Sequence, residues 1–235
     1  MKIVTWNCNG AFRKKFEMLS AFDADVYVIQ ECENPAESKD VKYIAWASNY
    51  LWLGTTKNKG LGVFAKHDIS LRDLQWSDEF RGSKVKYFLP CKINDDFTLL
   101  AVWTHRNNSP NFGYIGQLWK YLQVNKSKLQ KSFVVGDFNS NVIWDEWDRW
   151  WNHSDVVKEL QEINIHSVYH HVFKEEHGKE SVSTLFFQKN LEKPYHIDYV
   201  FSSVDFLEKT RKIEIGQPNK WLTLSDHMPI FYEFD

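Results

Sequence analysis

Short apolar runs recur along the chain, and most of them stop on a polar residue. KIVTW (2–6) reads as a buried strand, and DVYVIQ (25–30) as a second one ending at Glu31. Between them, FRKKFEMLSAF (12–22) sets Phe12, Phe16, Leu19 and Phe22 at helical spacing, with Arg13, Lys14, Lys15 and Glu17 outside. The chain thus opens as β-α-β. Further strands are expected at 42–47, 62–66, 69–76, 84–93 and 97–105. A helix is expected over 113–129, through Tyr114, Leu118, Tyr121, Leu122 and Leu129. SFVVGD (132–137) reads as another buried strand, and 154–164 as a helix with Ser154 as its N-cap. Strands at 183–187, 196–203, 206–215 and the final PIFYEF complete the pattern. Strands outnumber helices and fall in adjacent pairs, which predicts an α/β protein of mixed sheets packed together, helices outside.

The polar strand ends carry the candidate chemistry. They are Asn7 in VTWNCNG, Glu31 in VIQEC, His105 in AVWTHRNN, Asp137 and Asn139 in VVGDFNSN, and Asp226 with His227 in LSDHMPI. Asp198, in YHIDYVF, falls inside an expected strand, where an unpaired charge is costly. Any one of these alone reads most simply as a turn former or cap. As a set they say more. Carboxylates and amides without cysteine ligands suit a hard, oxygen-preferring cation such as Mg²⁺ or Mn²⁺. An Asp with a His suits a carboxylate–imidazole pair. A metal, an oriented imidazole and an Asp/Asn pair are the parts that in-line hydrolysis of a phosphoester needs.

Bulk composition narrows the substrate more than the fold. The 235 residues are 43% hydrophobic and include 11 Trp, enough for a sizeable core in one domain over 1–235. A net charge of −2 argues against a long duplex footprint held by phosphate contacts alone, and leaves a local patch or a small substrate. Cys8, Cys32 and Cys91 form no CxxC pair, and neither a secretory leader nor a membrane span is legible. A reduced, cytoplasmic, monomeric protein is the expectation.

TWNCNG, IQE, VVGDFN, HIDYVF and SDHMPI, in that order and spread over residues 5–230, resemble the endonuclease/exonuclease/phosphatase superfamily, to which deoxyribonuclease I belongs. The resemblance implies a four-layer α/β sandwich: two mixed sheets face to face, helices outside, the active site at one end. It further implies Glu31 as principal ligand of a divalent metal, with Asn7 and Asp226 supporting it. Asp137 and Asn139 correspond to the pair that positions and activates the attacking water. His227 corresponds to the imidazole on the scissile phosphate, and Asp198 to the carboxylate that orients it. His105 matches the His of the deoxyribonuclease I and sphingomyelinase branches rather than the Tyr of abasic-site endonucleases, and would assist the leaving group. The expected activity is a nuclease acting on DNA or RNA. The alternatives are a phosphatase or phosphodiesterase for a small or lipid-derived substrate, and a catalytically silent binding module, against which the complete motif set argues.

Other features have competing readings. His166 and His170, in the His/Glu-rich stretch 163–180, are four apart and on a helix would invite zinc, but the stretch can equally be a strand or turn, and a loop at the rim of the site is preferred. Trp144, Trp147 and Trp151 have helical spacing and are expected mostly in the core, with a stacking role on substrate as the minority reading for Trp144. Arg106, Asn107 and Asn108 are candidate phosphate contacts beside His105. FRKK is a candidate phosphate-steering patch, and KNKG (57–60) a plain turn. Cys8 and Cys32 follow Asn7 and Glu31 directly, and strand alternation turns them away from the metal.

Overall fold

The structure, a computed structural model, describes residues 1–106 and 111–235. Two six-stranded mixed sheets carry the fold. The first contains β1 (Lys2–Asn7), β2 (Val26–Cys32), β3 (Tyr50–Thr56) and β4 (Lys59–Ala65). The second contains β5 (Leu71–Asp73), β6 (Phe88–Ile93), β7 (Phe97–Trp103), β8 (Ser132–Asp137), β9 (Ile165–Ser167) and β10 (Asp198–Ser203). β11 (Thr210–Ile215) and β12 (Ile230–Phe234) return to the first sheet. The orders are β11-β12-β1-β2-β4-β3 and β9-β10-β8-β7-β6-β5.

Each sheet is antiparallel except for one central pair, β1 with β2 and β7 with β8. This exception determines where the chemistry sits. In a parallel pair both strands deliver their C-terminal residues to the same edge, and ligand crevices form outside such ends. The two pairs deliver Asn7, Glu31, His105 and Asp137 there.

Alternation along the central strands explains the layering. Leu99, Ala101 and Trp103 of β7, with Phe133 and Val135 of β8, share the core between the sheets with Ile3 of β1, while Val4 and Trp6 face the other way, Trp6 onto Phe12 and Trp221. Their neighbours Leu100, Val102 and Val134 face the other way, onto Leu118 and Leu122 of α2 (Ile115–Asn125) and Val156 and Leu160 of α3 (His153–Gln161). Outside the first sheet, Phe12, Phe16 and Leu19 pack with Tyr43 of the short helix α1 (Val41–Trp46). The result is the four-layer sandwich.

Several local expectations are corrected. The stretch 12–22 is two 3₁₀ segments, Phe12–Lys14 and Phe16–Phe22, bounded by left-handed Ala11 and Asp23, although its apolar face is buried as expected. The expected strand 42–47 is helical, because the Asp40 side chain accepts from the Tyr43 N–H and caps it. α3 starts one residue early, capped by Asn152 with Asp155 in a capping box, so Ser154 is not the cap. Residues 142–144 form one 3₁₀ turn, and Trp144 and Trp147 are 44% and 95% exposed, not core. Asp198 opens its strand rather than sitting within it. Among the described residues no helix is long and apolar enough to cross a membrane.

Candidate active site

The strand ends converge as the pairing requires. Asp137 closes β8 directly opposite Asp198, the first residue of β10. The Asn7 Nδ2 donates to Asp137 Oδ2 at 2.9 Å, which links the end of β1 to the end of β8 across the two sheets. Asn139, at a left-handed φ of 45°, folds back so that its amide N–H and side-chain Nδ2 donate to the two oxygens of Asp137, at 2.8 and 2.9 Å. The Asp137 carboxylate is thus fully buried and held by three donors.

Gly136 makes this convergence possible. Its φ is 143°, and a Cβ there would lie 1.9 Å from the Val102 carbonyl oxygen. Only glycine lets β8 press this closely on β7.

His227 is locked from several sides. Its Nδ1 lies 2.9 Å from Asp198 Oδ2. Its carbonyl accepts from the Trp6 indole at 2.9 Å, and its amide donates to Ser225 Oγ at 3.0 Å. Ser225 Oγ in turn donates to the Asn7 carbonyl at 2.7 Å. Thr184 ties the neighbouring segments together: its Oγ1 accepts from the amides of Ile197 and Asp198, and its carbonyl from that of Met228. Ser225 and Thr184 position the pair but carry no sequence signal beyond being small and hydroxylic.

Electrostatics follow from this enclosure. Burial pushes the Asp137 carboxyl up, the Asp198 carboxylate beside it adds to the rise, and His227 and the amide donors oppose it, leaving it at about 7. For His227, burial disfavours the charge, but Asp198, Asp137 and Asp226 outweigh burial and raise it to about 10. The group is therefore an imidazolium between carboxylates, with Nε2 left to donate to an anion. Burial lowers His105, helped by Lys59 and Lys86 and opposed by Glu31, so it favours the neutral imidazole.

Glu31 is the extra residue of a β-bulge between Gln30 and Cys32, at a φ of 63°. A bulge bends the strand and redirects one side chain; here it frees Glu31 from the alternation that buries Cys32. One carboxylate oxygen meets Lys59 Nζ at 2.6 Å. Lys59, in the hairpin read from sequence as a plain turn, is thus a site residue the sequence reading missed. Asn9 is another: its Nδ2 donates to Asp226 Oδ1 and its amide to Asn7 Oδ1, both at 3.0 Å. Asn9 thus links Asn7 to Asp226, and Lys59 places an ammonium on Glu31; together these residues would offer two carboxylates and an amide oxygen, a donor set that suits a hard divalent cation. Asp137, Asp198 and His227 bring ligand-type atoms within 4.8 Å of one another, but Asp137 is engaged by Asn7 and Asn139 and Asp198 by the His227 Nδ1.

Arg106 and Trp144 line a cavity of about 370 Å³ together with Tyr114, Asn139, Arg149 and Trp151. Asn107 and Asn108 lie outside the described residues. Of FRKK, Arg13 pairs with Glu33 and Lys15 Nζ donates to the Cys8 carbonyl at 2.6 Å, so neither is a free steering charge.

A fold of this kind has solved counterparts. An AP endonuclease from Archaeoglobus fulgidus superposes with a TM-score of 0.74 at 15% identity, covering 100% of this chain and 99% of that one. The 3′ phosphatase NExo from Neisseria, bound to product DNA hairpin, gives 0.70 at 18% with 100% and 99% coverage. The 3′-5′ exonuclease NExo from Neisseria meningitidis gives 0.69 at 18%, covering both chains fully. A comparison with curated protein sequences finds no match. The model of the Endonuclease/Exonuclease/phosphatase family matches residues 4–227, from β1 to the imidazole that Asp198 holds. Fold, strand-end site and family match agree: the chain belongs to the endonuclease/exonuclease/phosphatase family and is a divalent-metal-dependent phosphoester hydrolase.

Proposed function

We propose that the protein is a nuclease that cleaves phosphodiester bonds of DNA or RNA with Mg²⁺ or Mn²⁺, using the residues gathered at the strand ends. The observation that carries this reading is the Asn7–Asp137 hydrogen bond, which joins the donor set around Glu31 to the buried group Asp137, Asp198 and His227. A cation held by Glu31, Asp226 and Asn7 would neutralise charge on the phosphate oxygens. Asp137, aimed by Asn7 and Asn139, orients the attacking water and takes its proton. His227, fixed by Asp198, donates from Nε2 to a phosphate oxygen and stabilises the charge that builds up there. His105, at the end of β7, hydrogen-bonds the leaving oxygen.

A nucleic-acid substrate is supported by the cavity beside Asn139. Two guanidiniums, Arg106 and Arg149, stand with the rings of Tyr114, Trp144 and Trp151 around a space fit for a nucleotide. Arg149 lies 4.9 Å from the Trp151 ring centroid, and Trp144 stands 5.1 Å from that of Tyr195. Aromatic faces take bases, and guanidiniums take phosphates. The net charge of −2 favours the second reading, a phosphatase for a small phosphoester. Salt decides between them. Cleavage of a single-stranded oligonucleotide should fall steeply with added KCl at subsaturating substrate, while bis-p-nitrophenyl phosphate hydrolysis stays nearly flat. Absence of any oligonucleotide cleavage, with small phosphoesters turned over, would replace the first reading by the second.

A further inference from the structure

A second cluster of titratable groups lies outside the catalytic set. His153, His170, His177 and His196 gather about Glu180. The His170 and His177 rings stack with centroids 3.6 Å apart at 21°. Donor atoms of His170, His177 and Glu180 all fall within 4.8 Å of one another. His153 lies 5.6 Å from His177, and His196 6.2 Å from His170, centroid to centroid. The sequence paired His166 with His170. Instead the helix Val168–Phe173 ends at a left-handed Lys174, the chain turns back, and His177 meets His170, while His166 stays in β9.

The hydrogen bonds of these rings are informative. His196 Nδ1 lies 2.7 Å from the Val182 carbonyl, which can only accept, so Nδ1 bears the proton and Nε2 is a bare lone pair. That Nε2 is buried and has no hydrogen-bond partner among the described residues, and the same holds for His177 Nδ1. His170 Nδ1 meets Ser167 Oγ at 2.7 Å, leaving Nε2 at 3.1 Å from Glu180 Oε1. His170 is held at Nδ1 by Ser167 with Nε2 turned to Glu180, the arrangement of a ligating histidine oriented through its second nitrogen.

Protonation states fit the same picture. Burial and the adjacent His170 bring His177 down to about 4, so its ring is neutral. Burial opposes ionisation of Glu180, but His170 and the Gly178 and Glu180 amides outweigh it and hold the carboxyl at about 2.

We propose that His170, His177 and Glu180 form a three-residue zinc site separate from the catalytic cation, with water completing the coordination. Two imidazoles and one carboxylate, without thiolates, suit Zn²⁺ better than Mg²⁺, which prefers an all-oxygen shell. The site is structural. Asn141, two residues after Asn139, donates to both Glu180 oxygens at 3.1 Å and to the His196 carbonyl at 2.9 Å. His196 itself precedes Asp198 by two residues. A bound ion would therefore fix two segments that carry catalytic groups, without touching substrate.

The test is metal content and coordination of the full chain. After EDTA treatment, Zn²⁺ is added in the presence of excess Mg²⁺, unbound metal is removed by desalting, and bound zinc is counted by mass spectrometry. One Zn²⁺ per chain is expected, with a raised thermal midpoint. His177→Ala and Glu180→Gln, checked as folded by circular dichroism, should lose it. Co²⁺ bound to wild-type protein should show the intense visible absorption of four-coordinate nitrogen and oxygen ligation, which gives an answer even if the variants fail to fold. Zinc retained below about a tenth of an equivalent, retained unchanged in a folded variant, or replaced by Co²⁺ with a weak octahedral spectrum, would overturn the assignment.

Discussion

Asn7 and Asp137, 130 positions apart in the chain, are joined by a 2.9 Å hydrogen bond between the ends of two strands that belong to different sheets. Each strand is a member of its sheet's parallel pair, so the bond marks where the two halves of the sandwich bring their C-terminal ends together. Removing the amide leaves a buried carboxylate short of a donor. Asn7→Ala should cost about 1–3 kcal/mol in urea unfolding and lower kcat by at least about a hundredfold. A variant with wild-type turnover would separate the link from catalysis.

The Asp198–His227 pair yields a second expectation. Asp198→Asn keeps the shape but no longer matches the imidazolium charge at Nδ1. Turnover should fall by about 10²–10⁴-fold with native circular dichroism, by analogy with amide replacement of the orienting aspartate in hydrolytic triads. His227→Ala should be at least as severe. Turnover within about tenfold of wild type in either folded variant would contradict the proposed role of the pair.

Two glycines separate crowding from backbone strain. Both Gly136 and Gly10 have positive φ, but a Cβ at Gly10 meets nothing within 4 Å, whereas one at Gly136 lies 1.9 Å from a backbone oxygen. Gly10→Ala should cost about 1–2 kcal/mol. Gly136→Ala should prevent folding or exceed about 4 kcal/mol. Similar losses in the two, read by chemical denaturation, would contradict the close approach of β7 and β8.

Acid sensitivity should trace in part to His153. Its ring is buried against His177 and Tyr199, with neither nitrogen hydrogen-bonded among the described residues. Burial, then the neighbouring histidines, lower it from 6.5 to about 3. Below pH 6.5 the unfolded chain takes up a proton that the folded chain refuses, so stability from this group falls as pH drops from about 6.5 towards 3. In EDTA, the urea midpoint of wild type should decline over that window more steeply than that of His153→Phe. Equal slopes would assign the acid sensitivity elsewhere.

How much of this was legible beforehand depends on whether a feature is local. Strand-end polar residues after apolar runs are local, so Asn7, Glu31, Asp137 and His227 stand out in the sequence. Lys59 does not, because its partner Glu31 is 28 positions away and is reached only through the bulge. The helix at 41–46 was hidden by an apolar run that suits a strand equally well; the deciding group was Asp40, one residue before it. The tryptophans at 144–151 kept helical spacing without a helix, because the Asn152 side chain ties up the Glu146 backbone and Asp145 accepts from the first amides of α3. His177 joined His170 through one left-handed residue, Lys174, that no periodicity encodes.

The central claim is that Glu31, with Asp226 and Asn7, holds the cation that hydrolysis requires. It is tested most directly by titrating Mg²⁺ against cleavage of an end-labelled oligonucleotide for wild type and Glu31→Gln. Wild type should be inactive in EDTA and recover saturably with Mg²⁺; the variant, folded by circular dichroism, should need at least about tenfold more Mg²⁺ and stay far below wild-type kcat. Cleavage that survives EDTA, or a folded Glu31→Gln protein with an unchanged Mg²⁺ curve, would contradict it.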